Sequence, residues 1–104
     1  MENNNIIIGQ NAEDNWKILK EAKQNYIWFH LDNLSSPYVI LQELIKDSTK
    51  DQIYEAALAC KENSKYKNIP QVTVIYTEVK NIKKGSKVGQ AIIKSNKKCK
   101  KIIV

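Results

Sequence analysis

A chain of 104 residues with 42% hydrophobic and 27% charged residues has the size and composition of one folded domain, which we predict to span residues 1–104. This composition excludes wholesale disorder, and no apolar run approaches the roughly 20 residues of a membrane-spanning helix. The N-terminus lacks the basic start and long apolar stretch of a signal peptide. We therefore expect a cytoplasmic protein with no membrane partner.

Charge is divided unequally along the chain. Residues 1–60 hold 5 lysines and 9 acids, a net −4, whereas residues 61–104 hold 12 lysines and 2 acids, a net +10. Such an imbalance favours a polyanionic partner. Codon bias in an AT-rich genome is the alternative explanation for the many lysines, although it does not explain the loss of acids. The chain has no arginine, and lysine suits contact with a phosphate backbone better than the reading of base edges.

The first half of the chain predicts a strand, a helix and a hairpin, in that order. The apolar run 6–8 is typical of a short strand, and Asn11 is suited to cap a helix over residues 12–25. Residues 27–31 and 38–42 are predicted strands. The turn-forming residues between them favour an antiparallel hairpin.

The second half predicts one more helix and then strands. Thr49 and Gln52 have the spacing of a capping box for a helix over residues 50–64. Further along the chain we predict strands over 71–79, 88–94 and 101–104, a basic loop over 80–87 and a lysine-rich turn over 95–100. The predicted fold class is α+β, with two helices packed on a mixed, mainly antiparallel sheet of about six strands that ends in a β-meander.

Few residues offer metal or catalytic chemistry. His30 is the single histidine, and with Cys60 and Cys99 it cannot give a zinc site of the usual ligand spacing, so we expect no metal and no cofactor. The two cysteines are predicted to be free thiols. Asp32 follows His30 on the same face of the predicted strand, but no nucleophile in a strained turn accompanies the pair. We predict that the protein is not an enzyme.

An aromatic segment lies in the second predicted strand. Alternation places Trp28 and His30 on one face and Phe29 on the other. Core packing explains these residues without any further role. The functional alternative is an aromatic platform, with an imidazole beside Ser35 and Ser36, that stacks on a nucleobase or holds a phosphate. For His30 both interpretations stay open.

A lysine cluster in the predicted basic loop is the sharper signal. It consists of Lys80, Lys83, Lys84 and Lys87. Gly85 and Gly89 allow the backbone to approach a ligand closely, and loop amides add donors for an anion. The segment is not a P-loop, because the required glycine and lysine spacing is absent. A solvated hairpin tip is the alternative interpretation.

Several blocks of residues, in order, resemble the NFACT-R domain. They are Ile27-Trp28-Phe29-His30, Leu34-Ser35-Ser36, Ala56-Ala57, Val74-Ile75-Tyr76-Thr77, Asn81-Ile82-Lys83-Lys84 and Val88-Gly89-Gln90. That module occurs in the NEMF/RqcH ribosome-associated quality-control factors and in small coiled-coil domain-containing relatives. The resemblance implies an RNA-binding module that acts near tRNA and the large ribosomal subunit. We expect it here as a free-standing module.

Three positions depart from the family's pattern. Tyr26 stands where the family usually has an acid, Tyr38 where it usually has a histidine, and Gln42 where a basic residue is common. These changes thin out the polar site that the family has around the hairpin of the second and third strands. An enzyme acting through His30 on a phosphorylated substrate would need that residue in a concave pocket beside Lys83 or Lys84.

The predicted function is non-catalytic binding of nucleic acid, with RNA favoured over DNA and structured RNA such as tRNA or rRNA as the ligand. The partner then includes the large ribosomal subunit. A protein–protein adaptor and a DNA-binding module are the alternatives. The candidate nucleic-acid-binding residues are Lys80, Lys83, Lys84, Lys87, Trp28, His30, Ser35, Ser36, Tyr76 and Thr77.

Overall fold

The computed structural model describes residues 5–104, which form seven β-strands and two α-helices. The helices are α1 (Ala12–Glu21) and α2 (Lys50–Glu62). The strands are β1 (Ile6–Ile8), β2 (Ile27–Leu31), β3 (Val39–Leu41), β4 (Thr73–Glu78), β5 (Ile82–Lys84), β6 (Ala91–Ile93) and β7 (Lys100–Ile103). The predicted α+β class with two helices is confirmed.

Both helices begin at the side-chain caps that the sequence predicted. Asn11 accepts a hydrogen bond from the Asp14 N–H at 2.8 Å. Thr49 and Gln52 form a reciprocal capping box, with hydrogen bonds of 2.9 and 3.1 Å. α1 ends at Glu21, earlier than predicted, because the next residue takes an extended conformation with ψ 147°. No helix within residues 5–104 is both long and apolar enough to span a bilayer.

Five strands form one sheet in the order β1-β3-β2-β4-β7. Every pairing in this sheet is antiparallel, including the predicted hairpin of β2 and β3. β2 is the central strand, and its register with β4 places Trp28 opposite Thr77 and His30 opposite Ile75. The aromatic segment therefore lies in the middle of the sheet.

The pairing after β4 differs from the predicted meander. β7 pairs directly with β4, whereas β5 and β6 form a separate two-stranded sheet. The cause lies at Asn81, a 5% exposed residue at the end of a short 3-10 turn. Its side chain accepts the Ser95 N–H at 2.9 Å and donates to the Ser95 carbonyl at 2.8 Å. These bonds close the base of a hairpin that lies outside the main sheet.

The predicted loop over 80–87 is therefore partly a strand. Lys83 and Lys84 belong to β5, where they pair with Ile92 and Ala91 of β6. We call residues 82–93 the lysine hairpin. It folds back onto the main sheet because its apolar side chains Ile82, Ala91 and Ile93 pack into the same cluster as Trp28.

Both faces of the main sheet are covered. Phe29 and Trp28 lie on opposite faces of β2, as predicted; Phe29 faces α2, and Trp28 faces α1 and the lysine hairpin. The core on the α2 side consists of Ile27, Phe29, Leu31, Val39, Leu41, Ala56, Ala57, Cys60, Val72 and Val74. The core on the α1 side consists of Ile18, Leu19, Trp28, Tyr38, Ile40, Ile75, Val79 and Ile82. Each large side chain so buried contributes roughly 1.5–3 kcal/mol, which holds both helices and the hairpin on the sheet.

Candidate nucleic-acid interface

The lysine hairpin presents cations on both faces and in its connecting loop. Lys83 lies opposite Ile92, and the exposure of both side chains makes this the outer face. Lys84 lies on the inner face, because side chains alternate along a strand, and its Nζ is 5.1 Å from the centre of the Trp16 ring. Lys87 is exposed in the loop. None of these three lysines forms an ion pair with a residue of the described range 5–104.

Lys80 lies outside the hairpin, in the 3-10 turn before β5. Its Nζ is 3.6 Å from Oε1 of Glu78, and the two side chains are 57% and 31% exposed. Solvent screens a pair this open, so the contact contributes little to stability. Of the four predicted lysines, three are thus grouped in the hairpin and the fourth is partly neutralised beside it.

The loop of the hairpin is held in one conformation by its own hydrogen bonds. The Gly85 N–H donates to the Gln90 carbonyl at 2.9 Å. The Gln90 side-chain oxygen accepts the N–H groups of Ser86 and Lys87 at 2.9 and 3.3 Å. Lys87 is therefore carried by ordered backbone, and less conformational entropy is lost when a ligand binds it.

Two aromatic side chains of the main domain also bind this loop. Trp16 Nε1 donates to the Gln90 carbonyl at 3.0 Å, and the Tyr38 hydroxyl donates to the Gly89 carbonyl at 2.7 Å. Burial raises the pKa of Tyr38 to about 12, so the hydroxyl keeps its proton at neutral pH. Gly89 has φ 87°, and a Cβ there would lie 2.7 Å from the Cβ of Ala12. Glycine is required at this point where the loop meets α1.

A shallow groove of about 550 Å³ lies between the hairpin and α1. Three lysines, Trp16 and two acids line it: Lys17, Lys20, Lys84, Glu13 and Glu21. Sequence reasoning assigned Trp16 to the core face and gave no role to the two helix lysines. The available signal was their spacing, since residues three apart share one face of a helix. They extend the cationic surface of the hairpin onto α1.

His30 is half-buried among aromatic rings. Its imidazole stacks on the Trp28 ring with centroids 5.6 Å apart and an interplanar angle of 7°. The Tyr38 ring meets it edge-on at 5.8 Å. Nδ1 lies 2.7 Å from the Leu31 carbonyl oxygen, which can only accept, so Nδ1 carries the proton. The Ser36 carbonyl also lies close enough to the ring to act on its protonation.

Burial lowers the pKa of His30 below its ordinary value of 6.5. The carbonyls of Leu31 and Ser36 and the carboxylate of Asp32 oppose this effect without overcoming it. The imidazole is therefore neutral at pH 7. In that state Nε2 is a hydrogen-bond acceptor.

An open cavity of about 490 Å³ adjoins His30, and we call it the His30 cavity. Its wall includes Ser35, Ser36, the start of α1 and the segment after α2. The Ser36 hydroxyl is engaged, accepting the Leu31 N–H at 3.0 Å and donating to the Pro37 carbonyl at 3.1 Å. Ser35 is exposed. Neither Lys83 nor Lys84 lines this cavity, so the geometry required of an enzyme acting through His30 beside those lysines is absent.

The remaining candidates lie elsewhere. Trp28 and Thr77 are each 2% exposed. The Thr77 hydroxyl donates to the Lys98 carbonyl at 3.1 Å, and Trp28 Nε1 is buried without a partner among the described residues. Tyr76 is half-buried on the opposite face of the sheet from His30, where its ring stacks on Phe29 at 5.2 Å. The ten candidate residues therefore do not form one surface: the His30 cavity meets the hairpin at Val88 and Gly89, none of the four candidate lysines lines it, and Trp28 and Thr77 are interior.

Of the three departures from the family pattern, only Tyr38 contacts His30. Tyr26 lies before β2 and packs with Lys23, whose Nζ is 5.7 Å from its ring centre. Gln42 lines a different cavity, beside Ile7. The substitution at Tyr38 replaces a titratable imidazole by a hydroxyl that ties down the hairpin loop. It therefore affects the His30 site through packing.

Residues 5–104 contain no group of three histidine, cysteine or carboxylate side chains placed to hold a metal ion. Both cysteines are free thiols, with Cys60 buried and Cys99 half-buried. Burial raises the pKa of Cys60 to about 11, which keeps it protonated and unreactive. The polar chemistry available to a ligand thus resides in lysines, one imidazole and neutral hydrogen-bonding groups.

The model of the NFACT protein RNA binding domain matches residues 1–95. The chain belongs to this family. The NFACT RNA-binding domain accounts for the order of the blocks from Trp28 to Gln90, and it indicates a nucleic-acid partner and a binding role. The predicted resemblance is confirmed.

Similar proteins share the domain at moderate identity. Protein JLP2 of Saccharomyces cerevisiae is 30% identical over 93% of this chain and 51% of its own length. Coiled-coil domain-containing protein 25 of Bos taurus is 35% identical over 82% of this chain and 44% of its own length. The C-terminal structure of the fibronectin/fibrinogen-binding protein from Streptococcus suis superposes with a TM-score of 0.85 at 25% identity, over 95% of this chain and 39% of that one. The chain thus spans about half or less of the length of these relatives.

Proposed function

We propose that this NFACT RNA-binding domain is a non-catalytic module that binds structured RNA, such as tRNA or rRNA, through the lysine hairpin. The observation that carries the proposal is the hairpin itself. Lys83, Lys84 and Lys87 are exposed, make no ion pair within residues 5–104 and sit on an ordered backbone. Such a surface attracts a phosphate backbone and needs little reorganisation on binding.

The use of lysine alone determines the expected mode of binding. Each lysine is a compact charge that neutralises a phosphate and releases counterions, whereas base edges are recognised mainly by forked or amide side chains. We therefore expect strong dependence on salt and little dependence on sequence. Lys17 and Lys20 in the groove beside Trp16 extend the same surface.

The test is a salt titration of binding to tRNA and to duplex DNA. The variant Lys83→Gln/Lys87→Gln removes two charges and leaves Lys84, which packs on Trp16, in place. Its plot of log affinity against log salt should be shallower by about two units, one for each lost phosphate contact. The matched control is Lys46→Gln/Lys67→Gln, which removes two exposed lysines from outside the hairpin and should leave the slope nearly unchanged.

Two outcomes would reject the proposal. Binding that does not respond to salt, or that weakens equally in both double variants, would show that the hairpin is not the phosphate-binding surface. Absence of any nucleic-acid binding, together with a protein partner retained after nuclease treatment, would favour a protein–protein adaptor.

We include a cytoplasmic site of action on the large ribosomal subunit, in ribosome-associated quality control, in the same proposal. Its support is the family membership and the basic surface. Sedimentation of the tagged protein with large-subunit fractions in a sucrose gradient tests it, with the Lys83→Gln/Lys87→Gln variant expected at the top of the gradient. Equal sedimentation of wild type and variant would refute this part.

A further inference from the structure

Asn15 is a buried polar side chain whose amide nitrogen is unused. It is 7% exposed, and its Oδ1 accepts the Tyr38 N–H at 3.1 Å, which fixes the orientation of the amide. Nδ2 makes no hydrogen bond with any of residues 5–104. Gly9 leaves room for this arrangement, because a Cβ there would collide with Asn15 Oδ1. The Nδ2 donors are therefore available to a ligand.

The free donors of Asn15 belong to the His30 cavity. Asn15 forms part of its wall. Among the described residues, the one unpartnered side-chain nitrogen or oxygen that is fully enclosed is Trp28 Nε1. Asn15 Nδ2 therefore keeps accessible surface, and the cavity is where that surface lies.

Besides the Asn15 donors, the same cavity offers a hydrogen-bond acceptor. His30 Nε2 is an acceptor, because Nδ1 donates to the Leu31 carbonyl. Ser35 adds an exposed hydroxyl that is not used within residues 5–104. A ligand that donates at one point and accepts at another satisfies both His30 and Asn15. Hydroxyl groups do both.

The volume of the cavity and the charge on its wall limit the class of ligand further. A volume of about 490 Å³ lies within the roughly 300–1,000 Å³ of small-ligand pockets and is too small for a duplex. Lys65 is an exposed cation on the wall, after the end of α2. A ligand with adjacent hydroxyls and one phosphate matches this combination of groups.

We propose that the His30 cavity binds one unpaired ribonucleotide of the RNA ligand, with its ribose hydroxyls between His30 Nε2 and Asn15 Nδ2 and its phosphate toward Lys65. The 2′-hydroxyl is the group that lets a protein distinguish RNA from DNA. This inference rests on the proposed function, since it adds a ribose-selective site to the phosphate-binding hairpin. It makes the domain selective for RNA with an unpaired end, loop or bulge.

The first test changes only the ligand, so protein folding cannot confound it. Short single strands of one sequence are compared as RNA, as DNA and as 2′-O-methyl RNA by fluorescence anisotropy. Wild-type protein should bind RNA about three- to ten-fold more tightly than DNA, the ratio that one neutral hydrogen bond supplies. The 2′-O-methyl strand should lose this advantage, because it cannot donate to Nε2.

The second test changes the cavity. His30→Phe keeps a ring against Trp28 and removes both nitrogens, so the preference for RNA over DNA should fall to less than two-fold. Ser35→Ala, at an exposed position that poses no folding problem, should reduce it as well. The Lys83→Gln/Lys87→Gln variant should weaken RNA and DNA alike and leave their ratio unchanged.

The outcomes separate this inference from the proposed function. Equal affinity of wild-type protein for RNA and DNA strands, with the salt dependence retained, overturns the ribose site and leaves the hairpin proposal standing. A ratio that persists in both His30→Phe and Ser35→Ala places the discrimination elsewhere and also overturns it. Loss of all nucleic-acid binding by wild-type protein would remove both proposals.

Discussion

Substitution of Gly89 by alanine tests how the lysine hairpin is attached to the main domain. Gly89 has φ 87°, a left-handed conformation that residues with a Cβ rarely adopt. The added Cβ would lie 2.7 Å from the Ala12 Cβ and 3.0 Å from the Ala12 Cα. The latter atom belongs to the backbone of the first turn of α1 and cannot move aside alone. The carbonyl of Gly89 also accepts the Tyr38 hydroxyl, so any shift of the loop strains that bond.

The magnitude follows from two separate costs. The left-handed conformation costs a non-glycine residue about 1–2 kcal/mol. Crowding against the helix backbone adds about 1–3 kcal/mol, as overpacking does elsewhere. We expect Gly89→Ala to lower the free energy of unfolding by about 2–5 kcal/mol, a large part of the roughly 5–15 kcal/mol that a domain possesses.

Urea unfolding followed by tryptophan fluorescence measures this change, and Val88→Ala is the matched control in the same loop. Val88 is 55% exposed, its truncation adds no atom, and no left-handed φ is involved. The control should therefore lose about 1 kcal/mol or less, close to the ordinary range for a surface change. Equal destabilisation by the two substitutions, or a Gly89→Ala protein as stable as wild type, would refute this account of the hairpin.

Three further predictions concern interior groups. Thr77→Val removes the hydroxyl that donates to the Lys98 carbonyl, so the free energy of unfolding should fall by about 1–3 kcal/mol. RNA affinity should change less than two-fold, and a selective loss of RNA binding would instead make Thr77 a contact residue. The His30 imidazole, followed by NMR, should titrate below pH 6.5, and a midpoint above 6.5 contradicts this. The free energy that neutral His30 contributes to stability should be fully present above pH 6.5. It should decline as the pH falls below 6.5, because the unfolded chain takes up the proton more readily. At pH 8 a thiol reagent should modify Cys99 first and Cys60 only on unfolding, because burial raises the pKa of Cys60 to about 11; simultaneous labelling of both thiols would disprove it.

Local signals predicted most of the fold. The Asn11 cap, the Thr49–Gln52 box and the alternation of Trp28 and Phe29 each depend on residues within a few positions of one another, so the sequence alone suffices to identify them. The separate hairpin was missed because it depends on Asn81 bonding Ser95, 14 residues away. Nothing local to either residue indicates that contact.

The candidate site was less predictable, because family-like blocks mark positions without marking their exposure. Thr77 and Lys83 belong to neighbouring blocks, yet one is interior and the other exposed. The sequence did not identify Asn15 for a related reason: its orientation depends on a hydrogen bond from the Tyr38 N–H, 23 positions along the chain. Trp16 likewise gains its second role only when Gln90, 74 positions away, folds against it.

The two hydrogen bonds that aromatic side chains donate to the hairpin loop also fix a distance on the surface of the domain. The Trp16 and Tyr38 side chains bond the Gln90 and Gly89 carbonyls, so the hairpin loop is held to α1 and to the residue before β3. The separation between Lys87 and the mouth of the His30 cavity is then a constant of the fold. Under the two proposals above, an RNA that engages both sites must present a phosphate-lined helix and a splayed nucleotide at that one spacing. The proposals then imply that three-dimensional shape distinguishes RNAs of similar charge.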